Sequence, residues 1–116
     1  MNWENVAPAF VTARAGYDVW LGNSRGNTYS LGNTQYDHDK NEAKYWAFDW
    51  EQMGQYDLPA VIDHIVAKTG NQKITYIGHS QGTTQMYYGL ATNQDYFANH
   101  LNLFVALGPV TKMSHT

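Results

Sequence analysis

Residues 78 to 82 read Gly-His-Ser-Gln-Gly, the G-x-S-x-G spacing of a serine nucleophile carried on a sharp turn between a strand and a helix. The residue types fit that chemistry. Gly78 and Gly82 allow the strand and helix backbones to approach closely, and Ser80 between them is forced to present its Oγ above the sheet edge. The helix that opens beside it brings free N–H groups and a positive dipole end. The N–H of Gln81 then faces the place where an acyl oxyanion would form. A serine hydroxyl is a weak nucleophile until a base accepts its proton, so the rest of the chain is read for a histidine and an acid.

The candidates are few. His79 adjoins the serine, but its position on the turn aims it away from Oγ, and a packed or helix-covered side chain is expected. Asp95 and His100 follow Ser80 in the order acid then histidine. Both, however, precede the last strand, on the return path that belongs at the opposite edge of the sheet. His115 follows that strand with little chain around it to hold it. His38 lies between Asp37 and Asp39, where a solvated turn is expected and no metal or cofactor site. The chain has no cysteine, which excludes disulfides, thiolate zinc sites and a cysteine nucleophile.

The elements that would position Ser80 can be read from periodicity. Residues 4 to 15 suggest a short helix stopped by Gly16, with Pro8 in its first turn, and residues 17 to 21, YDVWL, a strand. Residues 22 to 46 are polar, rich in glycine in their first half, and read as a long loop. A short helical turn is expected around Trp50 to Met53. Leu58, Val61, Ile62, Ile65 and Val66 recur at helical spacing. Asp57 is placed to cap that helix, Pro59 fits its first turn and Gly70 ends it. KITYI, residues 73 to 77, reads as the strand that enters the turn, and a helix follows from about Gln81 to Ala91. A shorter helix near 95 to 100 leads to a last strand over 101 to 108. Strands alternating with helices predict parallel strands joined by right-handed crossovers, an α/β architecture.

Composition narrows the function classes. The 116 residues carry a formal net charge of −3 and no basic cluster, which argues against a nucleic-acid partner. Hydrophobic residues make 43% of the chain, while charged residues make only 15%. No apolar run approaches the roughly 18 residues of a membrane span, and the first residues show no basic start followed by a hydrophobic segment. Aromatic residues reach 15%, which suits a core and equally a lipid-facing surface.

Three strings together resemble a known family: GYDVWLGNSRGNT at 16 to 28, WAFDWEQMGQYDLPAVIDHIVAKTG at 46 to 70, and YIGHSQGTT at 76 to 84. They are similar to the acid lipases, the gastric and lysosomal hydrolases of neutral lipids and cholesteryl esters, and the likeness runs from about Asn5 to Val110. The resemblance implies an α/β-hydrolase fold and hydrolysis of a carboxylic ester without a cofactor. Ser80 matches the family nucleophile, and Gln81 the residue whose backbone N–H supplies one oxyanion donor. Asn23, Arg25, Gly26 and Asn27 match a loop that braces the rim of the site, and Asp57 a structural acid at a helix start. Gly78, His79 and Gly82 complete the turn.

The resemblance also implies departures. The family's His-Gly-Leu segment, source of the second oxyanion donor, would precede Met1, and its triad acid and histidine would follow Thr116. The strand that carries His-Gly-Leu would lie between the strand at 17 to 21 and that at 73 to 77, which here would leave a gap or pair directly. The expected molecule is a central portion of an α/β-hydrolase domain with about three parallel strands and the nucleophile turn after the second. Its expected substrate is a triacylglycerol or steryl ester met at a lipid interface, with the isolated chain inactive. The alternative from another class is a non-catalytic lipid- or partner-binding module derived from a lipase. The family is mostly lysosomal or secreted, and the chain itself carries no signal that assigns a compartment.

Overall fold

The computed structural model describes residue 3 and residues 5 to 112. His115 lies outside the described residues. In chain order the elements are α1 (Pro8–Arg14), α2 (Glu42–Tyr45), α3 (Trp50–Gln52), a π-helical turn (Met53–Asp57), α4 (Leu58–Thr69), β1 (Ile74–His79), α5 (Gln81–Thr92), α6 (Gln94–His100) and β2 (Leu101–Leu107).

β1 and β2 pair in parallel, with α5 and α6 forming the crossover between them. Tyr76 lies opposite Phe104, Gly78 opposite Ala106 and His79 opposite Leu107. One face of this sheet is covered. Ile74, Tyr76, Leu101 and Phe104 pack there against a core of Leu58, Ile62, Met86 and Phe97. The helical spacing in α4 explains its share of that core: Leu58, Ile62 and Ile65 are all buried. On the other face Thr75, Ile77, His79, Leu103 and Leu107 are exposed.

Two expectations are corrected. Residues 17 to 21 form no ladder, and among the described residues the sheet has two strands. Aromatic and β-branched residues fit a pleated surface but do not supply a neighbour for the backbone N–H and C=O groups. With no strand between them and β1, these residues stay at the surface, Trp20 setting its ring edge against His64 at 5.8 Å. The nucleophile turn therefore follows the first strand and not the second.

The second correction concerns Asp57. It has helical angles, φ −69° and ψ −44°, and caps nothing. The helix begins upstream at Trp50, where Asp49 accepts from the Glu51 N–H at 2.7 Å and the Gln52 side chain accepts from the Asp49 N–H at 2.9 Å. This is a capping box, and the sequence Asp49-Trp50-Glu51-Gln52 carries its pattern. The helix passes through Pro59 without ending because the turn before it is wound as a π-helix, the Leu58 N–H reaching the Met53 carbonyl.

Candidate active site

Ser80 stands between β1 and α5 with φ 51° and ψ −118°, the one non-glycine residue of positive φ among the described residues. A side chain in that conformation is strained. The strain persists because the surroundings fix the turn from several sides. The Ser80 N–H donates to the Leu107 carbonyl at 3.0 Å, joining the turn to the end of β2, and the Thr83 N–H donates back to the Ser80 carbonyl at 2.9 Å. The Val110 N–H donates to Thr83 Oγ1 at 3.0 Å, while Thr84 Oγ1 donates to the Val110 carbonyl at 2.9 Å. The chain leaving β2 is thus fastened to the first turn of the helix that begins at Gln81.

The two motif glycines differ in the room they need. A Cβ on Gly78 would meet the Gly82 backbone at 2.9 Å, whereas one on Gly82 would meet only the Tyr76 hydroxyl, at 3.4 Å. The Tyr76 hydroxyl itself donates to the Gly82 carbonyl at 3.0 Å. Burial pushes the Tyr76 hydroxyl up to about 12.

Behind α5 sits the π-helical turn. A Cβ on Gly54 would lie 2.6 Å from the Gln85 carbonyl, so this turn lies directly against the nucleophile helix. Gln85 is buried, and both ends of its side chain are used. Its Nε2 donates to Met53 Sδ at 3.1 Å and its Oε1 accepts from the Ser24 hydroxyl at 3.2 Å. Gln81 also directs its amide toward Met53 Sδ, at 3.8 Å. At the far end of the turn, Asp57 accepts from the Arg25 N–H at 2.9 Å and from Arg25 Nε and Nη2 at 2.9 and 2.7 Å. Gly26 follows with φ +78°, and a Cβ there would meet both Phe48 and Trp46 at 2.7 Å.

A small open cavity of about 210 Å³ adjoins the serine, lined by Trp50, Ser80, Gln81, Thr84 and Val110. The structure brings Ser80 and Gln81 together there. Arg25, Gly26 and Asp57 stand apart from it. They line a larger open cleft of about 450 Å³ between the 25 to 36 loop and residues 44 to 48. Asn23 is exposed, and Asn27 Oδ1 accepts from the Tyr29 N–H at 3.0 Å within its own turn.

His79 is exposed beside Gly108, in place of the packed or helix-covered position expected. The residue alternation that puts Gly78 on the covered face of β1 puts His79 on the bare one. His100 stacks on Tyr96 at 4.2 Å and its Nδ1 pairs with the Tyr96 carbonyl at 2.7 Å. His38 lies 3.5 Å from Asp39 in an exposed turn. Among the described residues none of these histidines hydrogen-bonds to Ser80. Sequence reading missed Trp50, Thr84 and Val110 as cavity walls and Met53 and Gln85 as the support behind α5. The Thr83-Thr84 pair after the motif was the available signal for the clasp onto Val110.

The chain matches a family described as the alpha/beta hydrolase fold over residues 1 to 115. It is 51% identical over 115 residues to a gastric triacylglycerol lipase of Mus musculus and 49% identical to that of Homo sapiens. It is 45% identical over 115 residues to lipase member K of Homo sapiens. In each case the match covers 99% of this chain and 28% of the relative, so the chain spans about a quarter to a third of those proteins. These findings bear out the resemblance to the acid lipases and the α/β class.

Proposed function

The chain belongs to the alpha/beta hydrolase fold family, and from that premise we propose that Ser80 is the nucleophile of a lipase acting on neutral lipid esters. The observation that carries this reading is the strained backbone of Ser80 at the mouth of a cavity that it shares with Gln81. Strain of this kind costs about 1 to 3 kcal/mol and is kept at sites where it serves a geometry. Here it would hold Oγ clear of the strand end.

In the proposed reaction Oγ attacks the ester carbonyl carbon as a base removes its proton. The carbonyl oxygen becomes an oxyanion held by the Gln81 N–H, a first-turn donor with no partner inside its helix. Collapse breaks the bond to the alcohol, which departs with the proton while the acyl group stays bonded to Ser80 Oγ. Water then reverses the sequence and releases the carboxylic acid. The base, its acid partner and the second oxyanion donor belong, in this reading, to the part of such a protein outside these residues. The names of the relatives support a triacylglycerol or related lipid ester as substrate.

Two measurements test this. The 116 residues expressed alone are expected to give no measurable turnover of a short-chain p-nitrophenyl ester. Robust turnover that vanishes in Ser80→Ala would overturn the statement that the base lies elsewhere. Expressed with its flanking reading frame, the chain is expected to react with a fluorophosphonate probe at Ser80. Absence of labelling there, or labelling that survives Ser80→Ala, would overturn Ser80 as the nucleophile.

A further inference from the structure

We infer that Trp50 is a specificity-determining residue, the wall of a slot that receives the hydrocarbon chain of the acyl group; this rests on the proposed role of Ser80. The slot is the cavity of about 210 Å³ beside the serine. Gln81, Thr84 and Tyr88 recur along one side of α5 at helical spacing. Trp50 stands over that side with its ring edge against Tyr88, centroids 5.5 Å apart and planes at 78°. Its backbone is fixed at the first residue of α3 by the Asp49–Gln52 capping box. Val110 closes the other side, its own backbone held by Thr83 and Thr84. Thr84 Oγ1 donates to the Val110 carbonyl, so its one O–H is already used.

An ester seated with its oxygen at the Gln81 N–H sends its acyl chain to one side and its alcohol to the other. Only the acyl chain begins at the carbon that bonds to Ser80 Oγ, and it stays on the serine after the alcohol has left. The slot that Ser80 itself lines, with Trp50, Gln81, Thr84 and Val110, therefore takes the chain that stays and not the one that leaves. Its walls fit unbranched hydrocarbon, which gains by burial against an indole face and a valine.

The experiment uses the chain expressed with its flanking reading frame and measures phosphonylation of Ser80 by mass spectrometry, with alkyl p-nitrophenyl phosphonates carrying ethyl or octyl on the P–C bond. In these reagents the P–C chain stands for the acyl chain, and the alkoxy chain for the alcohol. The octyl-to-ethyl rate ratio is expected to fall at least fivefold in Trp50→Ala and to stay within twofold in Trp50→Phe. Val110→Phe, which fills the slot from the opposite wall, is expected to lower the same ratio at least fivefold. Exchanging ethyl for octyl on the alkoxy position is expected to give a ratio that neither substitution moves. A P–C ratio unchanged in both Trp50→Ala and Val110→Phe, with Ser80 still reacting, would overturn the slot and leave the nucleophile standing. Failure of Ser80 to react with any of the reagents would overturn both.

Discussion

Ser80 holds φ 51° and ψ −118°, a conformation that a side chain resists and a glycine does not. The resistance is a property of the Cβ and not of the hydroxyl. Ser80→Gly is therefore expected to raise stability by about 1 kcal/mol, the relief of strain outweighing the added freedom of the unfolded chain. Ser80→Ala keeps the Cβ and is expected to stay within about 0.5 kcal/mol of the parent. For a domain of this size the glycine variant would melt about 4 °C higher. Equal midpoints for the two variants in thermal denaturation would show that the turn stores no strain at this residue. The same comparison bears on function, because Ser80→Gly and Ser80→Ala should both abolish phosphonylation. A gain in stability from the glycine alone would mean that the position holds a strained residue for its chemistry and not for the fold.

The elements around that turn were legible to different degrees, for physical reasons. α4, β1, α5 and β2 are covered on one side by a shared core, and their periodic apolar residues announced them. The expected strand at 17 to 21 did not form because a strand is a property of a pair. Asp57 misled because Asp before Leu-Pro imitates a helix start. Its carboxylate instead takes three donors of Arg25, a partner 32 residues away that local pattern cannot show. The Gly-x-Ser-x-Gly motif itself treats its glycines alike, and the packing does not. Gly78→Ala would drive a methyl to 2.9 Å from the Gly82 backbone, where neither side can yield without moving the turn. It is expected to cost about 2 to 3 kcal/mol and to slow Ser80 phosphonylation. Gly82→Ala meets only the end of Tyr76, at 3.4 Å, and removes a glycine from the first turn of α5. It is expected to change stability by less than about 1 kcal/mol. Urea denaturation of the two variants checks the asymmetry, and equal costs would mean that strand and helix are not as closely apposed as this.

At the scale of the whole molecule the sheet is one-sided: α4, α5, α6 and the core lie on one face, and the half-buried Tyr76 and Tyr96 belong to that side. Tyr76 lies against the core from β1, and Tyr96 does so from α6. Burial raises the Tyr76 hydroxyl to about 12. The Tyr96 hydroxyl is raised as well, first by burial and then by its hydrogen bond of 2.6 Å to Asp63 and the charge of that carboxylate. In the unfolded chain both titrate near the ordinary value of about 10. Between about 10 and 12 the unfolded chain thus releases protons that the folded chain keeps. It binds fewer protons than the native state, so stability falls as pH rises. This contribution is fully present below about pH 10 and is lost as pH climbs through the folded value of about 12 for Tyr76. The urea midpoint is expected to be flat in this respect up to pH 9 and to drop steadily above 10. Tyr76→Phe lowers stability at every pH by the lost hydrogen bond to the Gly82 carbonyl, roughly 1 kcal/mol. Its decline between pH 10 and 12 should nonetheless be shallower than that of the parent, since only the Tyr96 share remains. Denaturation curves of both chains from pH 8 to 12 separate the two effects. Parallel declines would mean that the Tyr76 hydroxyl ionises as readily folded as unfolded, and that the covered face of the sheet is open to water at the nucleophile turn.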